Sequence, residues 1–164
     1  MRRAMIVDSR SFRNAMACFA SGVTVVTARA VDGRLLGVTV SAFTSLSLDP
    51  PLVLLCLDRQ TLHVQAFTSG AFAVNILKED QKELSIQFAT HDGDKWRGTT
   101  YETGETGVPF LKGCLATIEC DVETTYDGGD HVIIVGRVHR LSSAPGGQPL
   151  VHFRSVYAGL GRTL

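Results

Sequence analysis

Apolar residues recur along this chain with a period of two more often than with a helical period. The run GVTVVTARAV at residues 22–31 alternates and is rich in Val and Thr; Asp32-Gly33 then supplies a tight turn into RLLGVTVSAF at 34–43, which predicts a hairpin. LATIECDVETTY (115–126) and HVIIVGRVHRL (131–141) alternate in the same way around Asp127-Gly128-Gly129-Asp130, whose glycines permit a sharp reversal, so a second, longer hairpin is expected there. PLVLLCL (51–57) is instead continuously apolar, which predicts a central strand buried on both faces and entered through Pro50-Pro51. AFAVNIL (71–77) reads as a further strand, and PLVHFRSVY (149–157) as a short one at an edge or closing a barrel.

Helical spacing is confined to three short stretches. Phe12, Ala15, Met16 and Phe19 fall at i, i+3, i+4 and i+7, with Ser11 as the expected cap and Ser21-Gly22 as the stop, predicting a helix that covers the sheet. Thr61 is the expected cap of a short helix over LHVQAFTS, ended by Gly70, and KEDQKELSIQFA (78–89) forms an amphipathic helix with Leu84 and Phe88 on one face. Residues 91–107 are polar and glycine-rich, with only Trp96 and Tyr101 as aromatic anchors, and are expected to be a mobile loop, either a cover over a ligand or plain surface. Several strands joined mostly by hairpins, with few helices, predict a mainly β, antiparallel barrel with helices outside it.

At 164 residues the chain fits a single domain, 1–164, with no repeat or linker dividing it. Sixteen basic and sixteen acidic residues balance, which argues against a nucleic-acid groove or an anionic membrane surface as partner. The start MRRAMIVDSR carries no long apolar segment, and Cys18, Cys56, Cys114 and Cys120 include no CxxC pair, so a cytoplasmic location with four reduced, buried thiols is expected. The five histidines make no metal-binding spacing, and no metal is expected.

Residues 36–61, LGVTVSAFTSLSLDPPLVLLCLDRQT, hold the main candidate site. An uncharged, hydroxyl-rich segment (Thr39, Ser41, Thr44, Ser45, Ser47) precedes a turn, an apolar strand and a polar corner at 58–61. Small side chains let a flat ring approach the backbone, whose polar groups bond the ring edge, while Arg59 and Thr61 are placed to hold a phosphate. The same residues also describe an ordinary strand running into a loop, with Arg59 a solvated cation.

The ordered set GVTVSAFTSLSLDPPL, AFAVNIL, QKELSIQFA, VPFLKG and GDHVIIVGRV, spanning about Phe12 to Tyr157, resembles the short-chain flavin reductases. These are the reductase components of two-component flavin monooxygenases. The resemblance implies an FMN-binding split β-barrel, normally a homodimer, that reduces FMN or FAD with NADH or NADPH and supplies a partner monooxygenase. It places Thr39, Val40, Ser41, Ala42 and Phe43 along the flavin ring with Phe88 and Ala89 nearby, and Cys56, Leu57, Asp58, Arg59, Gln60 and Thr61 along the ribityl chain and phosphate. Cys56 and Gln60 depart from the serines more frequent in the family.

Gly129-Asp130-His131 matches a family signature that assigns His131 to the nicotinamide nucleotide, with Arg154 and Tyr157 as further contacts. Read alone, the same residues describe a turn and a strand-entry histidine. Asn75 reads equally well as a buried amide bonded to backbone. No catalytic side chain is expected, because hydride passes directly from nicotinamide C4 to flavin N5 and the protein has only to stack the rings at about 3–3.5 Å. The alternatives are a flavin carrier without turnover on the same barrel, and a reductase with another acceptor such as a corrinoid.

Overall fold

A computed structural model describes residues 7–91 and 93–161. In chain order the elements are α1 (Ser9–Met16), β1 (Ser21–Gly22), β2 (Thr24–Arg29), β3 (Leu35–Val40), β4 (Phe43–Ser47), β5 (Leu52–Asp58), α2 (Val64–Thr68) and β6 (Ala71–Ile76). A 3₁₀ turn (Glu79–Gln81) then leads into α3 (Lys82–Ala89), β7 (Tyr101–Thr103), β8 (Pro109–Leu111), β9 (Ala116–Gly128), β10 (His131–Ser143), β11 (Val151–Phe153) and β12 (Val156–Ala158).

The main sheet is antiparallel, in the order β3-β2-β6-β9-β10-β5-β4. Strands β3 and β4 are its opposite edges, yet only Ser41 and Ala42 separate them in sequence. In a flat sheet six interstrand spacings would hold those edges about 29 Å apart, whereas the three residue steps from Val40 to Phe43 span at most about 11 Å. The sheet therefore rolls until its edges meet at Ser41-Ala42, giving the expected antiparallel split β-barrel. Val26, Ala28, Leu55, Phe72 and Ile134 fill its inside, and Phe67 of α2 joins them.

The outer face of β2 carries Val25, which clusters with Leu77, Phe88 of α3, Leu111 of β8 and Leu150. The β7–β8 hairpin is clipped to this face by buried polar groups. Asn75 donates to the Val25 carbonyl (2.9 Å) and accepts the Leu111 amide (2.8 Å), while Thr27 donates to the Pro109 carbonyl (2.5 Å). Glu119, wholly buried on β9, accepts the Thr106 amide (2.9 Å) and the Thr106 hydroxyl. Asn75 is thus the backbone-bonded amide of the plainer reading.

Several expectations are corrected. Asp8, not Ser11, caps α1, accepting from the amides of Arg10 and Ser11, because its carboxylate reaches both unsatisfied donors and also takes the Ser11 hydroxyl. This helix covers nothing in the single chain: Phe12, Met16 and Phe19 are 56, 54 and 81 % exposed. Ser21-Gly22 does not stop it but forms β1, paired with β11. Thr61 does not cap α2; His63 stands at that position in the left-handed region (φ 57) without a side-chain cap.

Strand β5 is paired on both sides but lies next to the edge, and its burial alternates, since one face looks into the barrel and the other is only half covered. The 91–107 segment is not a bare loop. Trp96 packs edge-on between Phe88 (5.1 Å) and Tyr101 (5.4 Å), and β7 begins at Tyr101. PLVHFRSVY forms a hairpin, β11–β12, turning at Arg154 and Ser155, both at positive φ. Cys18 is exposed and Cys56 and Cys114 half-buried, so only Cys120 is fully inside. Among the described residues no helix is long and apolar enough to cross a membrane.

Candidate functional site

The place where the rolled sheet's edges meet is also where the candidate residues gather. A cavity of about 270 Å³ opens there, lined by Thr39, Val40, Ser41 and Ala42 from one edge and by Cys56, Leu57, Asp58 and Thr61 from β5 and its corner. Ala89, at the end of α3, completes one wall together with His91, and His131 another, because β10 pairs with β5 in a register that sets His131 beside Asp58. Residues far apart in sequence are therefore drawn to one hollow by the sheet order.

Two features suit this hollow to a flat polar ring. Small side chains at Thr39, Ser41, Ala42, Cys56 and Ala89 are part of its lining, and the ladder is interrupted there: the carbonyls of Ser41 and Ala42 accept from Phe43 and Cys56 (both 3.0 Å), but among the described residues the solvent-exposed Ser41 and Ala42 amides have no backbone acceptor. Such donors require a partner from solvent or ligand. Thr39 instead gives its hydroxyl to the Ser85 carbonyl on α3 (2.6 Å), and the buried Ser85 hydroxyl shares a 2.8 Å bond with Tyr157. One strut thus runs from the cavity wall through α3 to β12. Burial pushes the pKa of the Cys56 thiol, which lines the wall, above its usual value and so disfavours the thiolate.

The polar corner is a closed turn. The amides of Arg59, Gln60 and Thr61 donate to the Asp130 carbonyl (3.0 Å), the Asp58 carboxylate (2.7 Å) and the Asp58 carbonyl (2.9 Å). Arg59 does not line the cavity; its guanidinium reaches the Gly129 carbonyl (3.0 Å) and pairs with Asp127, an exposed contact of small energy that leaves it free to move. Gln60 and Phe43 also lie outside the lining, and Phe88 sits wholly buried behind it. Nδ1 of His131 lies 2.7 Å from the Asp130 carboxylate, a contact that holds the Asp130 carboxyl below its ordinary value, and among the described residues Nε2 has no hydrogen-bond partner.

Arg154 is placed elsewhere: its guanidinium stands over Phe153 (5.3 Å) and 3.8 Å from the Cys18 sulfur. Tyr157 is committed to the strut. Of the groups not singled out from sequence, His91 carries no local signal, whereas Ser85 lies three residues before Phe88 on the apolar face of α3 and was legible from that spacing. A larger hollow of about 420 Å³ among the ends of β9 and β10 shares no residue with the cradle, and its Lys112 and Arg140 are already paired with Glu102 (3.2 Å) and Glu105 (3.5 Å).

Known proteins match this geometry. The chain is 39 % identical over 157 residues to the reductase subunit HsaB of a flavin-dependent monooxygenase from Mycobacterium tuberculosis, covering 94 % of this chain and 83 % of that one. The crystal structure of nitrilotriacetate monooxygenase component B from Mycobacterium thermoresistibile superposes with a TM-score of 0.89 at 38 % identity, covering 96 % of this chain and 89 % of that one. The NADH:FAD oxidoreductase SgcE6 of Streptomyces globisporus, in complex with NAD and FAD fragments, superposes with a TM-score of 0.88 at 31 % identity, covering 96 % and 98 %. Residues 16–161 match the flavin reductase like domain, and with these likenesses over nearly its whole length the chain belongs to the flavin reductase-like family.

Proposed function

We propose that the protein is an NAD(P)H-dependent flavin reductase, which binds FMN or FAD at the split of the barrel and supplies reduced flavin to a separate flavin-dependent monooxygenase. The observation that carries this reading is the pair of amides at Ser41 and Ala42, without a backbone acceptor among the described residues, in the lining of the cavity where the sheet edges meet. Bound flavin supplies the hydride acceptor. The chain's own part is the two amides, which would hold the acceptor-rich ring edge and favour the negative charge that reduction places on it, as donors in an oxyanion hole do.

Thr39, with its hydroxyl held by the Ser85 carbonyl, and Ala42 are small groups in the lining that would let the ring lie close to the backbone. His131, anchored at Nδ1, offers Nε2 to the carboxamide or a phosphate of the nicotinamide nucleotide. No acid or base is required of the chain, because hydride passes directly between the two cofactors.

The donor and partner class are supported by the relatives' names, a monooxygenase reductase subunit and an NADH:FAD oxidoreductase. The working unit we propose is a cytoplasmic homodimer, since nicotinamide nucleotides are intracellular and α1 presents an apolar face that a second copy would cover. Stopped-flow titration of NADH against the protein with FMN and FAD in parallel tests the reading. Flavin-dependent NADH oxidation above the free-flavin background is expected, and His131→Ala is expected chiefly to raise KM for NADH. Tight flavin binding without oxidation would leave a carrier; absence of both would end the proposal.

A further inference from the structure

A second cavity, of about 190 Å³, adjoins the first and shares Thr61 and His91 with it. Each alone falls short of the roughly 300 Å³ at the lower end of small-molecule sites; joined, they exceed it. The second cavity is cationic at its rim and apolar inside. Arg34, His63 and Lys95 line it, and among the described residues of the lining the one carboxylate is Asp94, one oxygen of which is taken by the Trp96 amide (3.0 Å). Leu36, Phe67 and Trp96 supply flat apolar surface, and the buried Trp96 indole N–H has no acceptor among the described residues.

The cations are available. Lys95 donates only to the carbonyls of Gly37 (3.4 Å) and Phe88 (3.2 Å), with no carboxylate within ion-pair reach among the described residues, and burial lowers its pKa. Arg34 pairs with Asp32 (2.7 Å) in an exposed contact that a phosphate can replace at little cost. Its Nη1 also donates to Nε2 of His63 (3.0 Å), which leaves the His63 Nδ1–H as a further donor, and His63 is held at its unusual positive φ beside this cavity.

We propose that the second cavity receives the adenylate half of a dinucleotide flavin, so that Arg34, His63 and Lys95 select FAD over FMN. This rests on the flavin reading above: a tail leaving the cradle past Thr61 enters the second cavity with its outer phosphate beside Arg34, Lys95 and the His63 Nδ1–H and its base against the apolar wall. The adenylate of NADH has the same chemistry and is the competing source.

The test is equilibrium titration of the full chain with riboflavin, FMN and FAD, followed by flavin fluorescence, for the wild type, Arg34→Ala and Lys95→Met. The wild type should bind FAD about tenfold or more tighter than FMN, and each substitution should lower that ratio about tenfold, the worth of one charge-assisted hydrogen bond. Equal affinities for FMN and FAD, or a ratio that neither substitution moves, overturn the inference and leave the reductase reading intact. A rise in KM for NADH, measured with FMN and without change in the ratio, would assign the cavity to the nicotinamide nucleotide and overturn it too. Failure to bind any flavin would remove both readings together.

Discussion

Gly37 is where the packing of the barrel and the shape of the cradle are tied most tightly. It lies in β3 opposite Thr27, and a Cβ built on it would stand 2.5 Å from Cδ1 of Phe88 and closer still to Cε1. The ring cannot retreat, because it is wholly buried and rests edge-on against Trp96. Alanine at position 37 must therefore push α3 away from the sheet, and α3 carries the Ser85 carbonyl that holds Thr39.

Overpacking of this kind costs about 1–3 kcal/mol. The ~0.5–1 kcal/mol that alanine gains over glycine in a strand offsets part of it. From the middle of these ranges about 1 kcal/mol remains, a fall in Tm of roughly 2–4 °C for a chain of this size. Thermal unfolding followed by circular dichroism measures it, with Gly146→Ala as control, since a Cβ there meets nothing within 4 Å. Flavin affinity should weaken in parallel, and Phe88→Leu in the Gly37→Ala background should recover on the order of 1 kcal/mol as a coupling energy. If Gly37→Ala melts with Gly146→Ala, or the second substitution adds to the loss, the account of α3 as the support of the cradle is refuted.

Two further outcomes follow from buried polar groups. Burial pushes the Glu119 carboxyl up, but the Thr106 hydroxyl and amide, with His139 beyond, outweigh it and hold it below its ordinary 4.5. The ionised form is thus favoured by folding: its contribution is full above about pH 4.5 and is lost as the pH falls through the lowered value. Urea midpoints of wild type and Glu119→Gln should converge in acid, and a gap unchanged with pH would contradict this. Tyr157→Phe should lower stability by about 1 kcal/mol by removing the partner of the Ser85 hydroxyl, with KM for NADH within about twofold; a large rise in that KM would instead make Tyr157 a contact of the nicotinamide nucleotide.

Much of the architecture was legible in the residues themselves because strand alternation and turn chemistry are local. Val and Thr around Asp32-Gly33, and the two alternating runs around Asp127-Gly128-Gly129-Asp130, specify hairpins without knowledge of the rest of the chain. The cradle was legible for a similar reason, since residues 39–42 and 56–61 are each contiguous. Which of them face one hollow depended on sheet order: the edges β3 and β4 meet only because seven strands roll up, and His131 joins them only through the register of β10 on β5. Arg59 turning to Asp127, the cavity shared at Thr61 and His91, and the bare apolar face of α1 were likewise settled by contacts distant in sequence. Periodicity reports which side of an element is apolar; what that side meets is decided when the elements are assembled.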